Sequence, residues 1–317
     1  MQKFAYVRHN KETEILIDFL CRRFPYQSRV GWIDAIQRGS IGVNGKSAFP
    51  EYLLKTKDIV SYDRPREAEP EIDANYKIFH VDDEILVVEK SGNIPISESG
   101  KFYRNTLLNI LKEKENFKEL FAVHRLDRET SGVLVIARTK RIATILGEQF
   151  LKRSPKKTYH AILVGEMVEK ENWVDRPICK VLPTPGCIRI RQVVSDSGKP
   201  SKTLFKRVLT CEGLTLAEIE TFTGRTHQIR CHAEYLGYPI LGDKLYGQSD
   251  KRFIQLRKDE EKPEFPPFGL ISRQLLHASS LTFTHPERNQ LMTFESSYLD
   301  EFGQFAKHPS IKGLLYS

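Results

Sequence analysis

Long apolar runs are missing from this 317-residue chain. Ile85-Leu86-Val87-Val88 and Val133 to Ala137 fall far short of the roughly 18 residues that a bilayer-spanning helix needs. Residues 1–30 interleave Arg8, Lys11, Glu12, Glu14, Arg22 and Arg23 with their apolar positions, which leaves no stretch for a secretion signal. Cysteine is scarce. The five, at 21, 179, 187, 211 and 231, form an odd set with no C-x-x-C pair, which argues against a disulfide framework and suits a reducing compartment. No H-E-x-x-H occurs, and His227 and His232 stand five apart rather than four, so no metal is expected. Internal repeats and low-complexity tracts are also absent. These absences point to a cytoplasmic protein without a membrane segment.

Charge, by contrast, is plentiful. Lys and Arg number 49 against 41 Asp and Glu, a net +8, while 40% hydrophobic and 28% charged residues are ordinary for a folded chain. Residues 121–160 hold nine Lys/Arg and three Asp/Glu, and residues 178–207 hold seven and one, a net +6 in each. Such concentration suits a phosphate backbone, from which basic side chains release counterions. A solvated face is the plainer alternative.

Asp63-Arg64-Pro65-Arg66-Glu67-Ala68-Glu69-Pro70-Glu71 is charged, carries two prolines and lacks apolar periodicity, as a linker does. It sets a module over residues 1–63, a linker over 64–74 and a large domain over 75–317. In the module, apolar residues at 15, 16, 19 and 20 predict a helix over Glu14 to Arg23. Ser28 can cap a second helix that runs through Ile36 and ends at Gly39. Ile41 to Lys46 predicts a strand entering an Asn44-Gly45 turn. Gly45-Lys46-Ser47 is no phosphate loop, because position 40, where such a loop needs glycine, is Ser. Two short helices, Val43-Asn44-Gly45-Lys46 and the later Leu54-Lys55, Asp58 and Ile59 together resemble the S-four-type RNA-binding domain. That resemblance implies a basic face, with Arg22, Arg23, Arg29, Arg38 and Lys46, laid on folded RNA. The alternative is that these side chains only solubilise a small helical cap.

Beyond the linker, β-rich runs alternate with turn signals. Strands are predicted at Tyr76–Phe79, Ile85–Glu89, Gly132–Ala137, Thr158–Val164, Thr203–Leu209, Leu214–Thr221 and Ser280–Phe283. Helices are predicted at Asn105–Lys114, Arg141–Phe150, Thr226–Leu236 and Tyr298–Phe305. The order is not a strict β-α-β-α alternation, so an α+β domain with a mixed, mostly antiparallel sheet is expected.

The segment His124-Arg125-Leu126-Asp127-Arg128-Glu129-Thr130-Ser131-Gly132 precedes the buried-looking strand Val133 to Ala137. Arg125 and Arg128 flank the carboxylate of Asp127 and would favour its ionised form. An ionised Asp in a water-poor pocket can act as nucleophile or general base; equally, it can be one half of an ion pair at a loop corner. A protein-kinase loop would need His-Arg-Asp contiguous, and here Leu126 intervenes; an aspartic protease would need Asp-Thr/Ser-Gly, and Asp127 is followed by Arg128. Lys156-Lys157-Thr158-Tyr159-His160-Ala161 is a lysine-led strand with one aromatic ring. Thr223-Gly224-Arg225-Thr226-His227-Gln228-Ile229-Arg230 follows, in which Gly224 breaks the strand and Thr226 can begin a helix. Gly237-Tyr238-Pro239-Ile240-Leu241-Gly242-Asp243-Lys244-Leu245-Tyr246-Gly247 is a loop too elaborate for a simple connection.

In this order, and with Leu275-Leu276-His277-Ala278 and Phe283-Thr284-His285-Pro286 after them, these elements resemble the RluA-type RNA pseudouridine synthases over about residues 76–296. The resemblance implies a pseudouridine synthase fold and isomerisation of uridine in RNA, without an external cofactor. By motif, Asp127 would be the essential aspartate, Arg230 its ion-pair partner, and Tyr159 the ring that stacks on the target base. Leu276 would line the uracil pocket, Arg125 would fill the stack left by the flipped base, and Arg128, Arg225, Lys156 and Lys157 would touch phosphates. His124 and His227 would mainly brace the loop. The stretch Glu89-Lys90-Ser91-Gly92-Asn93-Ile94-Pro95 departs from the family's usual Lys-Pro-x-Gly, and the insertion at 250–267 has no assigned role. The expected partner is RNA, ribosomal rather than transfer RNA, met by a monomer. Competing readings are a transfer-RNA target, a non-catalytic RNA-binding or ribosome-assembly protein, and a hydrolase that would lack oxyanion or metal equipment.

Overall fold

A computed structural model describes residues 2–7, 14–24, 27–64, 68–181, 190–258 and 264–316. The chain divides at Glu69/Pro70 into two compact units, a division that falls within the expected linker.

The first unit packs two helices on a small sheet. Leu16–Arg23 buries Leu16, Phe19 and Leu20, while Arg29–Gln37 buries Trp32 and Ile36 against them. Ser28 caps the second helix through its Oγ, which accepts the Gly31 amide, and the chain leaves it at Gly39 with φ of 72°. Ile41–Val43 turns into Lys46–Ser47 through Asn44 (φ 53°) and Gly45 (φ 77°), the paired positive angles of a tight hairpin. The Asn44 side chain donates to Asp58 Oδ1 at 2.8 Å and accepts the Ile59 amide at 2.9 Å, clasping the next turn. The strand Ile59–Arg64 pairs with Gln2–Val7, a strand that lies too far away in sequence to be read from local pattern. Arg22, Arg29 and Arg38 pair with Glu14, Asp18 and Asp34. Exposed pairs of this kind contribute little and exchange readily for other anions.

The second unit is built on one large sheet. Its main strands are β1 (Tyr76–Val81), β2 (Ile85–Lys90), β3 (Ser131–Ala137), β4 (Lys156–Val164), β5 (Glu171–Asp175), β6 (Lys202–Cys211), β7 (Leu214–Thr221), β8 (Leu276–Thr284) and β9 (Leu291–Glu295). They lie in the order β5-β6-β7-β4-β8-β3-β2-β1, with β9 on β8 and the short Phe121–Ala122 strand on β3. Only β3 and β8 run parallel; the other pairs are antiparallel. The fold is therefore α+β with a mixed, mostly antiparallel sheet.

Every residue of β3 is buried, because helices cover both faces. Helix α1 (Leu107–Lys114) packs Leu107 and Leu111 on one side, and α2 (Lys140–Lys152) packs Ile142 and Leu146 on the other. Helix α3 (Gln228–Tyr235) lies over β4, β6 and β7 through Ile229 and Ala233. It starts two residues later than Thr226, since His227 sits in the left-handed region (φ 55°) and cannot be helical. The seam between β3 and β8 is unusually close. A Cβ on Gly132 (φ 114°) would come within 2.2 Å of the Ala278 carbonyl oxygen, so only glycine lets these strands meet.

Two of the sequence motifs serve the frame. His285 is fully enclosed; its Nδ1 accepts the Glu287 and Arg288 amides, which leaves Nε2–H to donate to Asp82 Oδ2 at 3.0 Å. Asp82, Glu84 and His285 are grouped closely enough to suggest a metal, but Asp82 is already committed to His80, His285 and the Ile85 amide. His277 bonds Ser131 Oγ and Ser296 Oγ, both at 2.9 Å, tying β8 to β3.

The sequence pattern had no element for Ile178–Lys180, Gln192–Val194, β5, β9 or the C-terminal helix Pro309–Tyr316. The insertion contains a helix, Asp250–Lys258, which tucks Phe253 against Leu245 and Tyr246. Cys21, Cys179, Cys211 and Cys231 are free thiols, and Cys187 lies outside the described residues. Among the described residues, no helix is long and apolar enough to cross a membrane.

Candidate active site

The loop between Ala122 and β3 is fixed from three directions. Leu126 is buried in the core under α1. His124 accepts the Val135 amide at its Nε2 (3.1 Å) and stacks on Phe150 at 4.4 Å; burial draws its imidazole down to about 3, so it is neutral. The Arg128 carbonyl accepts three donors: the Asn93 amide at 2.9 Å, the Ile94 amide at 3.1 Å and Lys90 Nζ at 3.0 Å. Thus the stretch that departs from the family pattern is what clamps the residue after Asp127.

Lys90 is fully enclosed, and its two hydrogen bonds go to the carbonyls of Ser91 and Arg128 rather than to a carboxylate. Burial draws its ammonium down to about 7, against an unfolded value near 10.4. Below about pH 7 both states carry the proton and folding must bury a charge. Between about 7 and 10 the unfolded chain binds more protons than the native one, so this group's cost fades as pH rises. Lys90→Met removes the effect. Thermal melts of the two proteins should show the mutant's relative stability falling steadily from pH 7 to pH 10; a constant difference would refute this.

Asp127 itself is four-fifths covered. Its Oδ2 accepts Arg230 Nη1 at 2.9 Å, and His227 Nε2 stands 3.9 Å from the same oxygen. Burial alone would raise this carboxyl. The Arg230 guanidinium, followed by His227, outweighs burial and holds it below the usual range. Arg230 is in turn gripped by Asp243: Nε donates to Oδ2 at 2.6 Å and Nη2 to Oδ1 at 2.9 Å, a planar fork. Asp243 is wholly buried, and its Oδ1 also accepts the Leu245 and Tyr246 amides. One guanidinium therefore bridges a structural carboxylate and one that faces open space.

That space is a cavity of about 480 Å³, within the range of small-ligand pockets. Asp127, Tyr159, Leu276, Arg225, Lys157 and Arg125 all line it. Tyr159 projects from β4 and Leu276 from the start of β8; burial raises the Tyr159 phenol to about 12, so it is protonated at neutral pH. Lys157 is drawn down by burial and by Arg153. Neighbours on a strand point to opposite faces, which is why Lys156 is exposed and outside the cavity. Arg128 turns the other way, onto Glu129 at 2.8 Å, and lines a second cavity of about 710 Å³ behind the loop. Asp243, Tyr246 and Lys90 had no role assigned from sequence, although the first two stand in the G-D-x-x-Y-G element.

An acid held ionised in a cationic pocket that also holds an aromatic ring suits an enzyme acting on RNA. The chain belongs to the RNA pseudouridine synthases, which isomerise uridine in RNA, and within them to the RluA type. The RNA pseudouridylate synthase family profile matches residues 84–235. The chain is 36% identical over 274 residues to the ribosomal large subunit pseudouridine synthase C of Salmonella typhimurium, covering 82% of each. It is 30% identical over 319 residues to the mitochondrial tRNA pseudouridine(32) synthase of Saccharomyces cerevisiae, covering 93% of this chain and 68% of that one. The human RNA pseudouridylate synthase domain containing 1 structure superposes with a TM-score of 0.56 at 27% identity, covering 72% of this chain and 86% of that one.

Proposed function

We propose that the protein converts uridine to pseudouridine in large-subunit ribosomal RNA, with Asp127 as the essential group. The carrying observation is that Arg230 occupies Oδ2 of Asp127, while Oδ1 has no protein partner among the described residues. The target nucleotide leaves its helix, at a cost of a few kcal/mol, and enters the cavity beside Tyr159. Asp127 then acts through its ionised carboxylate, as nucleophile at C1′ or as base at C2′, and the N1–C1′ bond breaks. The uracil turns on the Tyr159 ring, C5 bonds to C1′, and the C5 proton is exchanged for one on N1. Nothing is gained or lost overall, so the reaction needs no cofactor.

Leu276 packs on the uracil and Arg125 fills the vacated stack. Arg225 and Lys157 at the cavity, with Arg128 and Lys156 outside it, hold phosphates. Arg29, Arg38 and Lys46 of the first unit, read as an S-four-type module, supply an accessory RNA surface. The ribosomal target is supported by that module and by 36% identity to a ribosomal enzyme against 30% to a transfer-RNA enzyme. The protein works as a cytoplasmic monomer on this reading. Pseudouridine maps of ribosomal and transfer RNA from cells with and without the protein should lose sites only in the large-subunit RNA. Loss confined to transfer RNA would move the target there, and loss in neither would end the proposal.

A further inference from the structure

The other described histidines of this unit are held within the frame; His227 alone faces the reacting carboxylate. It stands at the left-handed residue before α3 and lines both cavities. Strain of this sort in a non-glycine residue is retained where the surroundings dictate it, often at functional sites. Its two nitrogens have different neighbours. Nδ1 lies 3.1 Å from the hydroxyl of Tyr246, with the rings edge to face, and Nε2 lies 3.9 Å from Asp127 Oδ2.

The proton positions follow from what each neighbour can give. Tyr246 is 1% exposed, and its oxygen already accepts the Gln192 amide at 2.9 Å. A buried phenol needs an acceptor for its own proton, and Nδ1 is the one provided. Nδ1 must then be bare, so the neutral imidazole carries its proton on Nε2. The opposite tautomer would aim a lone pair at the Asp127 carboxylate and strand the phenolic proton. Both ends of the ring therefore demand the same form. The arrangement holds Tyr246 on three sides: the Gln192 amide, His227, and the Arg230 guanidinium 5.0 Å over its ring.

We propose that His227 is a positioning residue for Asp127, locked by Tyr246 in the tautomer that presents Nε2–H to Oδ2. This rests on the reading of Asp127 as the reacting acid. Arg230 fixes Oδ2 along one direction, and His227 supplies a second donor that closes on the same oxygen when the nucleotide fills the cavity. Catalytic hydrogen bonds that are long in a free enzyme commonly tighten in this way. Oδ1 is thereby kept turned toward the substrate. With its proton on Nε2, His227 cannot serve as the base that takes the C5 proton.

Two substitutions separate this from mere bracing. His227→Asn suits the left-handed backbone and keeps a polar group at the Nδ1 position, but it cannot reach Asp127. His227→Gln places an amide N–H near the Nε2 position. With ribosomal RNA transcribed in vitro as substrate, the Asn variant should lose kcat by about ten- to a hundred-fold, the scale of a misplaced reacting group. Its KM should stay unchanged, and Gln should recover part of kcat. Wild-type kcat in the Asn variant, or no difference between Asn and Gln, would overturn the proposal. Separately, the 15N spectrum of histidine-labelled protein should show a bare Nδ1 and a protonated Nε2 for His227, becoming a mixture of tautomers in Tyr246→Phe. A protonated Nδ1 in the wild type would overturn the tautomer. That spectrum needs no turnover, so its failure is distinct from a failure of the isomerase reading, which would appear as an inactive wild type.

Discussion

Asp127→Asn should abolish pseudouridine formation while leaving the fold and RNA binding almost untouched. The substitution keeps the side chain's shape and an oxygen for Arg230, but it removes the negative charge that either first step requires. Removal of a group that reacts directly typically costs a thousand-fold or more in kcat, on the order of 4 kcal/mol in the barrier. Arg230 does not become an orphan charge, because its fork to Asp243 persists. Chemical mapping of pseudouridine in RNA incubated with each protein, beside a binding titration and a melting curve, separates the outcomes. Full conversion by the mutant would remove Asp127 from the chemistry.

Asp243→Leu should strongly destabilise the second unit, although Asp243 does not line the cavity. It would leave Arg230 buried with only the shared Asp127, and the Leu245 and Tyr246 amides without an acceptor. Breaking one side of a buried pair costs about 3–5 kcal/mol. Pairing it with Arg230→Met tests the cause, since replacing both charges with apolar groups often restores stability. The double variant should recover much of the lost melting temperature and none of the activity. Arg230→Ala alone should cripple turnover more than RNA affinity; a titration showing the reverse would move Arg230 to RNA anchoring. A double variant no more stable than Asp243→Leu would mean that the amides or the now unpaired Asp127, not the Arg230 charge, carry the cost.

Features set by short-range rules are legible in the sequence. The Ser28 cap, the Asn44-Gly45 turn and the continuous apolar strand before Ala137 each depend on a few adjacent residues. Asp127, Arg230 and Tyr159 were legible through motif order, and the structure brings all three to one cavity. Contacts between distant residues were not. Gln2–Val7 has a partner some sixty positions away, a pairing that no window of neighbours reveals. Edge strand β5 buries only Val174, so its pattern is too thin to stand out. Lys90 carries no sequence signal for burial, because lysine normally marks a surface, and its burial is imposed by the loop it clamps. Lys156 and Lys157 could have been separated by the two-residue period of their strand, which admits only one of them to the cavity.

The seam at Gly132 and Ala278 has a consequence for when the enzyme becomes competent. Asp127, in the loop that leads into β3, and Leu276, at the start of β8, lie almost 150 residues apart in sequence, and their two strands meet through only two residue pairs. Closing so distant a contact is a late event in folding. A growing polypeptide that has not yet emerged past Ala278 holds its carboxylate without a chamber to use it in, so synthesis itself withholds activity until β8 is made.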